Sequence, residues 1–98
     1  MTREEIDRVV KETFKNIIQD SGKSIKGEPN STTALMGSDT LFDSVDLVTF
    51  IVALEQVIED DWNISIVLAN DKAMSQTVSP FKSIGSITDY IEMLINDK

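Results

Sequence analysis

The sequence predicts a small all-α bundle of three main helices, with a possible short fourth and a long loop between helices 1 and 2. Three observations predict it. Apolar residues recur at helical spacing in three separate stretches, each stretch follows a capping signal, and no convincing sheet pattern lies between them. At 98 residues the chain has room for one domain, residues 1–98, with a single modest core. Its 41% apolar and 27% charged content places it with folded proteins and not with disordered ones.

The first helix opens at Thr2, because Glu5 three residues later completes a capping box in which each side chain takes an orphan amide of the first turn. Ile6, Val9, Val10, Phe14, Ile17 and Ile18 then form one apolar face, with Asp7, Lys11, Glu12 and Lys15 opposite. Gly22 supplies the stop. Residues 21–43, "SGKSIKGEPNSTTALMGSDTLFD", lose the periodicity and hold three glycines, one proline and two apolar anchors, Leu35 and Leu41. A loop of this length inside a compact domain tends to carry function, which draws attention to the helix it delivers.

That second helix is expected over residues 44–60. Leu47, Ile51, Leu54 and Ile58 share its core side with Phe50 beside them, while Asp46, Thr49, Ala53, Gln56 and Asp60 lie roughly opposite. Val45 and Val52 occupy a flank next to Ser44 where folding needs no apolar side chain, so they are candidate contact residues. The stretch "NISIVLANDKAMSQTVSP" begins with a weak strand-like alternation and has room for one or two helical turns from Asn70 or Asp71. Pro80 and Gly85 punctuate. Ser86 with Asp89 then caps a last helix carrying Ile87, Tyr90, Ile91, Leu94 and Ile95 on one face.

Composition excludes several classes of function. A net charge of −8 without a basic stripe makes nucleic acid a poor partner and basic protein surfaces the natural attractors. No stretch is long and apolar enough to span a bilayer, and the charged N-terminus lacks the apolar core of a signal peptide, so no membrane insertion and a cytoplasmic location are expected. The absence of histidine and cysteine rules out thiol and serine–histidine catalysis and the common zinc sets. Asp61, Asn63 and Ser65 start like a calcium loop, but Ile66 and Lys72 stand where that loop needs glycine and glutamate. An enzyme is not expected, no metal site is expected, and with no sign of oligomerisation the chain reads as a monomer.

One serine remains to be explained. In "LFDSVDLVTF", residues 41–50, Ser44 or Asp43 serves as an N-cap on local chemistry alone. The longer string "LFDSVDLVTFIVALEQVIEDDWNISI", however, resembles the second-helix motif of acyl and peptidyl carrier proteins, in which an Asp-Ser-Leu-like triplet opens a helix. The order of elements is similar too, from the capped first helix and long loop to the closing "FKSIGSITDYIEML", and "AMSQTVSPFKSIGSITDYI" looks like a group of stand-alone bacterial carriers.

The resemblance implies an acyl-carrier-like bundle with 4′-phosphopantetheine, drawn from coenzyme A, attached to Ser44 beside Asp43. It implies no catalytic residue of the chain's own. Implied partners are a phosphopantetheinyl transferase and acyl-transfer or acyl-activating enzymes of fatty acid, lipid or polyketide synthesis with basic docking sites, reached through Val45, Asp46, Val52, Glu55, Glu59 and Asp60. Valine after the serine departs from the usual pattern, and Thr49 and Gln56, where related chains often have glutamate, depart from it too and keep an aminoacyl or peptidyl carrier in view. Phe50, Leu54, Ile58 and Ile91 are candidate residues for lining a sheltered acyl chain, or else form a filled core. An unmodified helical protein-interaction module, with Ser44 as a plain cap, is the alternative from a different class.

Overall fold

The computed structural model describes residues 2–23, 28–35, 42–68 and 81–96, and it is an all-α arrangement of three helices. Helix α1 spans Arg3–Asp20, α2 spans Ser44–Trp62 and α3 spans Ile84–Asn96. Both α2 and α3 pack against α1. That role suits α1, whose buried face is an unbroken helical stripe of Ile6, Val9, Val10, Thr13, Phe14, Ile17 and Ile18. All three helices feed one core, to which the connecting segments add Leu35, Phe42 and Leu68. Its centre is aromatic: the rings of Phe14, Phe42 and Phe50 lie 4.9 to 6.2 Å apart, in tilted and edge-on pairs that suit the ring quadrupoles.

Both ends of α1 form as their residues dictate. Thr2 Oγ1 accepts the Glu5 amide at 3.1 Å and the Glu5 carboxylate accepts the Thr2 amide at 2.8 Å, which completes the capping box. At the other end Gly22 takes a left-handed φ of +76°, its amide donates to the Gln19 carbonyl, and the Lys23 amide donates to the Ile18 carbonyl, both at 3.0 Å. This Schellman pattern closes the helix and fixes where the Lys23 backbone sits.

The start of α3 differs from the sequence expectation. The helix begins at Ile84, so its cap is Ser83, whose Oγ accepts the Ser86 amide at 3.2 Å, and Ser86 and Asp89 stand inside the helix. Tertiary contacts decide this. The Ile84 amide donates to the Thr33 carbonyl and the Gly85 amide to the Ser31 carbonyl, so the loop provides partners for amides that a helix start leaves orphaned. Gly85 is therefore a helical residue and not punctuation: a Cβ there would stand 2.8 Å from the Ser31 carbonyl oxygen. Asp89 instead forms an ion pair with Arg3, tying α3 to α1.

Residues 63–68 carry the weak alternation that suggested a strand. The alternation reports burial only: Ile64, Ile66 and Leu68 turn toward the core between exposed Asn63, Ser65 and Val67, and no strand occurs among the described residues. Among the described residues the one ladder contact lies elsewhere, an isolated antiparallel bridge between Ala34 and Ser83. Helix α2 runs two residues past the expected Asp60, and Asn63 ends it in the left-handed conformation at φ 55°, donating to the Glu59 carbonyl. Asparagine is among the few side chains that accept this backbone. The expected turns from Asn70 or Asp71, the punctuating Pro80 and the anchor Leu41 lie outside the described residues.

Candidate functional site

The N-terminus of α2 is built by a second capping box. Asp43, in extended conformation, accepts the Asp46 amide at 2.8 Å, and the Asp46 carboxylate reaches back to the Asp43 amide at 3.3 Å. Asp43 is thus the cap and Ser44 is the first helical residue, which removes Ser44 as the cap. A first helical turn leaves amides without intrahelical partners, and the box uses that of Asp46. Unpaired first-turn amides and the positive end of a helix dipole favour negative charge, so the backbone of this helix end is compatible with a phosphoester there.

Asp46 holds the site together. Besides the box, its Oδ2 accepts a hydrogen bond from Lys23 Nζ at 2.8 Å across 23 residues of sequence, and its side chain is only 15% exposed. The Lys23 ammonium is the first cause, and the Asp43 amide a further one, that holds the Asp46 carboxyl below the ordinary aspartate range against the opposing cost of desolvation. The same bond raises the lysine. Asp46 is therefore engaged in the fold and less available to a partner than exposed Val45, Val52, Glu59 and Asp60.

A valine stripe leads away from this end along the outer face of α2. Val45 is 71% exposed and Val52 57%, as their flank position suggested, and Val48, which sequence reasoning did not single out, joins them at 61%. The spacing i, i+3, i+7 puts all three on one line. Signal for Val48 was present in that spacing. Beyond Val52 the same face turns polar, with Gln56, Glu59 and Asp60 exposed and Glu55 half-buried. Thr49 is exposed beside the stripe, its hydroxyl donating to the Val45 carbonyl, and Gln56 donates to the Asp60 carboxylate.

Phe50, Leu54, Ile58 and Ile91 are all completely buried in the core. An open groove of about 390 Å³ does exist between α1 and α2, but it lies at the far end of α2, where Arg8, Glu12, Thr13, Asp61 and Trp62 line it, and includes none of those four residues. No described helix is long and apolar enough to cross a membrane. Among the described residues no group of three or more carboxylates is placed to hold a metal ion.

Comparison with known proteins adds no assignment: no family model, no curated protein and no solved structure matches the chain.

Proposed function

We propose that this chain is a carrier protein that holds acyl intermediates as thioesters on a 4′-phosphopantetheine arm attached to Ser44 and delivers them to partner enzymes. The observation that carries this reading is the coincidence at one helix end. Ser44 directly follows the Asp43 cap, and a line of exposed valines starts at the very next residue. The cap serves the fold, whereas the core formed by the described residues includes none of the three valines.

Each residue then has a task. Asp43 and Asp46 order the turn that presents the serine, and the helix end favours the negative charge of a phosphodiester. In the attachment step the serine oxygen bonds to the phosphorus bearing pantetheine and the pyrophosphate bond of coenzyme A breaks. Adenosine 3′,5′-bisphosphate leaves, and the hydroxyl proton passes to a base of the transferase. When attached, the arm supplies the thiol that a chain without cysteine lacks. Val45, Val48 and Val52 form the apolar part of a docking face, and Glu55, Glu59 and Asp60 steer basic partner surfaces toward it. The protein acts as a carrier and not as an enzyme, working in the cytoplasm as a monomer.

Exposed Thr49 and Gln56 reduce the acidity of this face and favour, as a second reading, an aminoacyl or peptidyl cargo. The valine stripe by itself equally suits an unmodified interaction module. Incubation with coenzyme A, magnesium and a broad-specificity phosphopantetheinyl transferase separates a carrier of either cargo from the module. A carrier gains the mass of one phosphopantetheine and the Ser44→Ala variant gains none; a wild-type chain left unmodified where a control carrier is modified contradicts the proposal and favours the module.

A further inference from the structure

A lysine from the end of α1 stands at the beginning of α2. The Schellman closure of α1 fixes the Lys23 backbone through its amide bond to the Ile18 carbonyl, and its ammonium reaches Asp46 Oδ2. That oxygen also accepts the Asp43 amide. Ammonium, carboxylate and the amide just before Ser44 therefore share one centre.

Charge counts at this centre. Asp43 and Asp46 put two carboxylates on either side of Ser44, and the modification proposed for that residue brings a further anion, first the coenzyme A phosphates and then the phosphodiester. Like charges at such range oppose both approach and attachment. With Lys23 in place one of the two carboxylate charges is offset where they meet the serine backbone. The pair joins the end of α1 to the start of α2, and the same ammonium charge acts on the turn that bears the serine.

We propose that Lys23 is a positioning residue for the modification of Ser44, offsetting the carboxylate charge around the helix start so that an anionic phosphoester is accepted there. This inference rests on the carrier reading. It concerns no direct contact with the reacting atoms: Lys23 acts through Asp46 and the field at the first turn.

The test is a charge series at position 23, with modification rates measured by intact mass under conditions where circular dichroism shows every variant fully folded. Lys23→Arg keeps the charge and is expected to match wild type in kcat/KM. Lys23→Met is expected to fall about tenfold, the scale of one unit charge left unbalanced at short range in a partly screened site, and Lys23→Glu further still. In the modified protein the ³¹P resonance of the phosphodiester moves in the Met variant and returns in the Arg variant, a readout that a purely structural lysine leaves unchanged. Should the Glu variant fail to fold, the Met and Arg pair still decides. Equal rates for wild type and Lys23→Met, or an Arg variant as slow as Met, overturn the role of Lys23 while the carrier reading stands; a wild type that is never modified overturns the carrier reading and this inference with it.

Discussion

Helices α1 and α2 open in the same way and then diverge. Each starts with a reciprocal capping box, Thr2 with Glu5 and Asp43 with Asp46, and each sends an apolar face into the shared core. Their outer faces differ. That of α1 is charged and polar, with Arg8, Glu12 and Asn16 exposed, and these three also edge the groove that faces Asp61 and Trp62. That of α2 begins with three exposed valines. A charged and polar outer face needs no reason beyond solvation, whereas three exposed valines in line do, so the outer side of α2 is where function has to be sought.

The strongest way to break this comparison is to exchange the two sides of α2. Leu54→Ala, in the core, is expected to cost about 2–5 kcal/mol, whereas Val48→Ser, on the stripe, is expected to stay within about 0.5 kcal/mol. Urea unfolding of the two variants measures both. A Val48 variant as damaged as Leu54→Ala means the stripe belongs to the fold, and its exposure carries no functional message.

A smaller effect sharpens the difference between cap and serine. Asp43→Ala should lose about 1 kcal/mol of stability with the cap, while Ser44→Ala, one residue later and inside the helix, should change stability by less than about 0.5 kcal/mol. The same denaturation experiment reads both. Equal losses mean that Ser44 shares the capping work and weaken the separation of its chemistry from the fold.

The smallest expected effect is on pH dependence. Glu5, through the Thr2 amide and then the Trp62 indole, and Asp46, through Lys23, both have carboxyl groups held below their ordinary values. A depressed folded value means that the unfolded chain binds protons first. The contribution is thus complete above the ordinary carboxylate range, roughly pH 4, and is lost as pH falls through the folded values. Lys23 is raised, so its contribution is complete below the ordinary lysine value and fades only as pH rises past the folded one. Unfolding midpoints followed from neutral to acid pH should therefore decline more gently in Glu5→Gln than in wild type. An unchanged slope would show that these two hydrogen bonds do not persist in solution.

Much of this was legible in the sequence where the cause is local. Thr2, Glu5 and Gly22 act on neighbours within one helical turn, and their roles at the ends of α1 can be read from spacing. Periodicity alone puts Val45 and Val52 on an outer flank, and Val48 lies on the same line by the same spacing. What could not be read is what the tertiary structure imposes. Ser83 displaces Ser86 as the cap of α3 because Thr33 and Ser31, some fifty residues upstream, present carbonyls to the Ile84 and Gly85 amides. Alternation in residues 63–68 describes which side chains turn inward, and a period of two says nothing about whether a partner strand exists. Lys23 and Asp46 meet across a long loop, and no pattern in either segment announces the pair.

The central claim is that Ser44 carries an acyl-bearing arm, and the most direct test is the intact mass of the protein isolated from the cells that make it, taken before and after neutral hydroxylamine, with the peptide around residue 44 mapped. A carrier yields a fraction whose added mass drops on hydroxylamine treatment to that of a single phosphopantetheine, located on Ser44. A chain whose mass equals the bare sequence in every fraction, with hydroxylamine removing nothing, would contradict it.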